Sequence, residues 1–88
     1  MVPPAFLLIG KLHRPHGVRG EIIMSVLTDF PERLKPGLEV FLGPSRTPVK
    51  IKNMRHHNRG MLITLEGYNS REEVDGLRNY EMFVSALD

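Results

Sequence analysis

Apolar residues recur at alternate positions in short runs along this chain, and glycine or proline closes most of the runs. EIIMSVL (21–27) sets Ile22, Met24 and Val26 on one face, which is the period of a half-buried strand. MLITLEG (61–67) does the same with Met61, Ile63 and Leu65. FLLIGKLHR (6–14), bounded by Pro15 and Gly17, LEVFLG (38–43) and EMFVSAL (81–87) read as further strands. VKIKNMRHH (49–57) begins with Val49 and Ile51 inward and Lys50 and Lys52 outward. Met54 then falls out of period, which predicts a bulge near Asn53. Asn58-Arg59-Gly60 reads as a hairpin turn. Six short strands with close Gly/Pro punctuation predict an all-β barrel or sandwich.

Two stretches carry helical signals instead. TDFPERL (28–34) offers Asp29 as N-cap, Pro31 in the first turn and Glu32 three residues after the cap. It is long enough for one or two turns. SREEVDGLRN (70–79) opens with Ser70 and Glu73 at capping-box spacing. Val74 and Leu77 would pack inward, and Asn79 suits the left-handed conformation that ends a helix.

Length and charge narrow the picture. The 88 residues fit one domain, read as 1–88. The chain stops directly after a strand, which suggests one domain of a longer protein. There is no cysteine, hence no disulfide framework and no thiolate metal site. No secretory leader is read at the N-terminus. The longest apolar run, AFLLI, is far below the ~20 residues a membrane helix needs. A cytoplasmic, soluble monomer is expected. Net charge is only +2, but ten of the twelve Lys and Arg lie in residues 1–59 with four acids, and six acids lie in residues 60–88. Such asymmetry suggests an electropositive face for phosphates or an acidic partner, unless folding mixes the two halves.

The densest cationic stretch is GKLHRPHGVRGE (10–21). Gly17 and Gly20 bracket a turn, Pro15 stiffens its approach, and Lys11, Arg14 and Arg19 project from that frame. Fixed Arg forks suit phosphate or carboxylate; a tight loop with ordinary charges accounts for the same spacing. The glycines fit neither a dinucleotide fingerprint nor a P-loop. A second cationic run carries Lys50, Lys52, Arg55 and Arg59 without an acid, either a solvated strand face or part of one basic surface with the first. His13, His16, His56 and His57 lack metal-ligand spacing and companions, so no metal is expected. Phe6, Phe41 and Phe83 sit in strands and are expected in the core rather than as base-stacking platforms. No serine has a nucleophile context and the acids read as helix-start or solvated residues, so nothing demands catalysis.

Taken together, IGKLHRPHGVRGEI, TDFPERL and MLITLEGYNSREEVDGLRNYEMFV resemble the N-terminal domain of the RimM family of ribosome maturation factors. Gly10, Lys11, Gly17, Gly20 and Glu21 fit that family's opening pattern, and Thr28-Asp29 its next one. Leu77-Arg78 fit a later Leu-x-Gly, with Asn79 in place of the glycine. The resemblance implies a six-stranded antiparallel β-barrel, similar to those of translation elongation factors and some flavin reductases, with one or two short helices. It implies a non-enzymatic, cofactor-free assembly factor for the head of the small ribosomal subunit and for rRNA processing. The partners it implies are the small-subunit precursor, its head protein numbered nineteen and ribosomal RNA, with a second barrel domain following this one. The expected contact surface comprises Lys11, His13, Arg14, His16, Gly17, Arg19, Gly20, Lys50, Lys52, Arg55 and Arg59. A purely protein-binding barrel without RNA contact stays open beside it, as does a flavin-type enzyme by analogy of fold alone.

Overall fold

The computed structural model describes residues 6–58 and 60–86. Six strands, β1 (Phe6–His16), β2 (Glu21–Val26), β3 (Glu39–Leu42), β4 (Thr47–His57), β5 (Gly60–Leu65) and β6 (Glu81–Ser85), close into a barrel in the order β1-β2-β5-β4-β3-β6. Every neighbouring pair is antiparallel. Closure leaves no edge strand to template aggregation. The alternation foreseen in β2, β4 and β5 is what fills the barrel. Ile22, Met24, Ile51, Ile63 and Leu65 are all fully buried and meet Leu12, Val40, Leu42 and Met82 inside. The expected end of the last strand at Leu87 lies outside the described residues.

Three register shifts shape the barrel. In β4 the pairing steps from Ile51↔Leu65 to Asn53↔Thr64, so Lys52 is the extra residue. That bulge returns Met54 to the inner face, as its broken period foretold. A second shift, between Leu8 and Gly10, adjusts β1 against β6. The third carries β1 further than the sequence suggested. Leu12 opposes Met24 and Pro15 opposes Ile22, so His13 and Arg14 together face Ile23. Both Leu12 and Pro15 are buried. The proline is tolerated inside the strand because it sits beside a bulge. The strand therefore continues to His16 instead of ending at Arg14.

The two helical segments stop the ends of the barrel. At one mouth the 28–34 segment forms only a single 3-10 turn, Pro31–Arg33, whose cap position is Phe30 and not Asp29. Thr28 Oγ1 accepts the Phe30 N–H at 3.1 Å, and Leu34 is buried. Anchoring Leu34 needs one turn, and the backbone is extended again at that residue. At the other mouth α1 (Arg71–Asp75) carries Val74 into the core, with Leu77 just beyond. Ser70 Oγ accepts the Glu73 N–H at 3.3 Å, as a capping box requires. The reciprocal bond involves the preceding residue instead of the cap, with the Asn69 N–H donating to Glu73 Oε1 at 2.9 Å. Gly76 ends the helix early, and Asn79 holds φ +66° in the turn that follows. The Asn79 N–H then bonds Leu12 O, and the Leu12 N–H bonds Tyr80 O.

The phenylalanines meet expectation only in part. Phe83 pairs in register with Phe41 and with Leu8, while Met82, Val40 and Leu42 hold the inward positions on the same strands. Parity therefore sends Phe6, Phe41 and Phe83 to the outer face. Phe6 meets Phe41 at 5.1 Å and Phe83 at 6.4 Å between centroids, edge to face. The Arg46 guanidinium lies 3.8 Å above the Phe83 ring and covers it, while Arg46 Nη1 donates to Gly43 O. The aromatic cluster is a cation–π-capped patch on the outer side of the barrel wall, in which Phe83 is buried as expected while Phe6 and Phe41 are half-buried.

Candidate functional site

The turn 17–20 is built by its glycines. Gly17 and Gly20 have φ of +72° and +91°, a region open chiefly to glycine. A Cβ on Gly20 would lie 2.5 Å from the Tyr68 carbonyl oxygen. Arg71 of α1 donates from Nη1 to Gly17 O at 3.0 Å. The turn is thus fastened to the segment leading into α1, and it presents Val18 and Arg19 to solvent.

Glu21, the lone acid of the opening stretch, has a specific partner. It makes a bidentate pair with Arg55, with Nε–Oε2 at 2.9 Å and Nη2–Oε1 at 3.0 Å. Because β5 lies between β2 and β4, the pair straps three strands together across the outer face. The Arg55 hydrogen bonds hold the Glu21 carboxyl below its ordinary pKa. Partial burial opposes this, and the charges of Arg55, His16 and Arg19 assist it. Arg55 is correspondingly raised by Glu21. A carboxyl depressed on folding stabilises the fold above its unfolded pKa, and that contribution disappears as pH falls through the folded pKa. In Arg55→Gln, the Glu21 carboxyl titration followed by NMR is expected to move up. The small stability difference from the parent at neutral pH should vanish on acidification. An unmoved Glu21 titration would contradict the strap.

The histidines assemble across strands rather than in the adjacent pairs of the sequence. His16 of β1 and His57 of β4 bring their rings to 4.9 Å. His13 Nε2 shares a hydrogen bond with Ser25 Oγ. His56 has the opposite parity to His57, as neighbours on a strand must, and is exposed. Among the described residues no group of three His, Asp or Glu is placed to hold a metal ion.

Between these side chains runs an open groove of about 540 Å³, lined by His13, Arg14, Ile23, Met24, Ser25, His57, Asn58, Gly60, Arg78 and Asn79. The β1 bulge supplies His13 and Arg14 in succession, the β4–β5 hairpin supplies His57 and Asn58, and the segment after α1 supplies Arg78 and Asn79. Arg78 Nε donates to Asp75 Oδ1, which orients the guanidinium. Among the described residues the groove lining itself contains no acid.

The sequence-derived surface is thus only partly gathered. His13, Arg14, His16 and Arg55 share the outer face of β1-β2-β5-β4, with Lys11 opposite Ser25 and Glu81 on the same side. Lys50 is exposed but pairs in register with Glu39 of β3, and Lys52 occupies the β4 bulge. Arg59 lies outside the described residues. Asn58 and Arg78 join the groove without having been expected there, and Arg71 fastens the turn; His57, noted in the sequence only among the histidines, joins them. Arg78 and Arg71 come from the acidic half of the chain, and only folding brings them beside the basic half.

A second depression, of about 490 Å³, lies at the mouth closed by Leu34. Leu7, Leu27 and Phe30 there are 50%, 52% and 57% exposed, and Asp29, Arg33, Lys35 and Glu39 stand around it. No helix among the described residues is long and apolar enough to cross a membrane.

Comparison with known proteins gives consistent matches. The family model described as the RimM N-terminal domain matches residues 7–88. The ribosome maturation factor RimM of Kineococcus radiotolerans is 39% identical over 82 residues, covering 92% of this chain and 47% of that protein. That of Bacillus cereus is 43% identical over 72 residues, covering 76% and 42%. A crystal structure of the Pseudomonas aeruginosa RimM, named as a 16S ribosomal RNA processing protein, superposes with a TM-score of 0.78 at 24% identity, covering 91% of this chain and 50% of that one. The chain spans about half the length of the curated relatives it matches.

Proposed function

This chain belongs to the RimM family, matching its N-terminal domain, and from that premise we propose that it is a ribosome maturation factor module acting in the cytoplasm. It docks on immature small ribosomal subunits through ribosomal RNA and the head protein numbered nineteen, and assists rRNA processing by binding rather than by catalysis. A second barrel domain in the full protein supplies further protein contact. The observation that supports an RNA-facing role is the outer face of β1-β2-β5-β4. Lys11, His13, Arg14 and His16 stand there with Glu81 opposite Lys11, Arg19 is exposed on the adjoining turn, and the one acid of β2, Glu21, is paired with Arg55. Phosphate contacts of this kind fix position without reading sequence.

The reading predicts affinity that falls steeply with salt, by ~0.7–0.9 in log K per log salt for each neutralised phosphate. Arg14→Glu with Arg19→Glu should weaken binding to immature small subunits by about tenfold or more while leaving the thermal unfolding curve of the barrel in place. Folded variants that bind normally at moderate salt would reject this surface.

The apolar mouth around Leu7, Leu27 and Phe30 favours a second reading, a module that binds protein alone. That module would bind the purified ribosomal protein without sensitivity to salt or RNA, and charge reversal at Arg14 and Arg19 would leave it unaffected.

A further inference from the structure

We propose that the groove between the β1 bulge and the β4–β5 hairpin is a seat for the sugar–phosphate backbone of single-stranded RNA. The inference rests on the ribosomal reading for its biological setting, but its chemistry is local. In an unbroken antiparallel ladder, successive side chains alternate between the two faces. The bulge suspends that rule, because His13 and Arg14 both stand opposite Ile23. Both line the groove, side by side.

From the far side Arg78 converges on them, oriented by Asp75 through its Nε. His57 enters from the hairpin, its ring supported by that of His16. Among the described residues, two guanidinium groups and two imidazoles therefore face one cleft whose lining has no carboxylate. Among the described residues no acid pairs with Arg14, whereas Arg55 is paired with Glu21 and Arg78 with Asp75. Planar guanidinium forks match phosphate oxygens, and a cleft lined by cations attracts a polyanion.

What the cleft lacks is equally informative. Among the described residues its lining contains no Phe, Tyr or Trp, the large faces on which strand-binding proteins stack bases, so its guanidinium groups address phosphates foremost. The recognised element is thus the backbone. The side-chain amides of Asn58 and Asn79 offer the donor and acceptor pairs that a ribose hydroxyl uses. A volume near 540 Å³ suits a short stretch of backbone. The other depression of comparable size has exposed leucines and a phenylalanine, with Asp29 and Glu39 among its lining residues, so charge complementarity singles out the first.

The test is fluorescence anisotropy of the 88-residue chain with a labelled ten-nucleotide oligouridylate across a salt series. Neutralising the groove, in Arg14→Gln with Arg78→Gln, is expected to weaken binding about tenfold at ~0.1 M salt and to flatten the log K–log salt slope by about 1.4. Arg33→Gln with Lys35→Gln removes the same charge at the opposite mouth and should change affinity by less than about twofold. Equal losses in both double variants, no loss in the groove variant, or no oligouridylate binding by the parent at low salt each overturn the groove. Immature small subunits as a second ligand separate this from the functional reading. If the parent binds them and the groove variant binds them equally, the groove is wrong and the ribosomal role stands. If the parent fails on subunits yet holds oligouridylate through the groove, the role is wrong and the groove stands.

Discussion

Gly20→Ala is expected to destabilise the barrel by roughly 3 kcal/mol or more, while Gly17→Ala, three residues away in the same turn, costs about 1–2 kcal/mol. Both glycines hold positive φ, so both substitutions carry the penalty of forcing an L-residue into the left-handed region. They differ in what surrounds them. Nothing lies within 4 Å of a Cβ at position 17. At position 20 the new Cβ would sit 2.5 Å from Tyr68 O and 3.2 Å from the carbonyl carbons of Tyr68 and Asn69. Those atoms are backbone and cannot swing aside. They also lead directly into the Ser70 cap of α1, whose Val74 and Leu77 close that end of the core. Relieving the clash therefore means moving the turn off α1 and breaking the Arg71 bond to Gly17 O. Urea unfolding of the two variants beside the parent measures the difference. Equal losses would mean that the turn is not wedged against residues 68–69.

That wedge marks the boundary of what was legible in the chain. Local rules were readable wherever one residue and its near neighbours decide the outcome. Val26, Ile51 and Ile63 announced their faces by alternation. Met54 announced a bulge by breaking it, Ser70 and Glu73 a cap, and Asn79 a left-handed turn. Turns and caps cost little to recognise because their physics lies within four or five residues. Failures came where a partner distant in sequence decides. Phe6, Phe41 and Phe83 looked like core because aromatic strand residues usually are, and of the three only Phe83 is buried. Their face is set by the inward parity of Met82, Val40 and Leu42, and their shelter by Arg46 of a different turn. Asp29 looked like a cap, but the segment forms only a single 3-10 turn around Leu34. Glu21 looked like the end of a basic run and is the counter-charge of Arg55, 34 residues on. The basic surface was visible as composition, yet its most concentrated part takes Arg78 from the acidic half. Charge asymmetry along a chain says which charges exist and not which ones meet.

Removing the Leu12 side chain tests the claim that fold and groove are separable. Leu12→Ala is expected to cost about 3 kcal/mol, a large fraction of the roughly 5–15 kcal/mol that stabilises a domain of this kind. Leu12 is fully buried, faces Met24 across β1–β2, and lies immediately before the bulge. A closed barrel has little freedom to collapse around the loss, because each strand is held on both sides. The residue also has a second duty that truncation leaves intact. Its N–H and C=O bind Tyr80 O and the Asn79 N–H, and these hold the segment carrying Arg78 beside β1. Main-chain bonds survive the change to alanine, so the groove should keep its geometry in the folded molecules. Leu12→Ala should therefore show a much lower urea midpoint and, at temperatures where it remains folded, oligouridylate affinity within about twofold of the parent. Leu7→Ala at the exposed mouth, by contrast, should shift stability by no more than about 0.5 kcal/mol. A Leu12→Ala protein that is fully folded yet has lost RNA binding would mean that the bulge is positioned by core packing and not by the main-chain bonds to Asn79 and Tyr80.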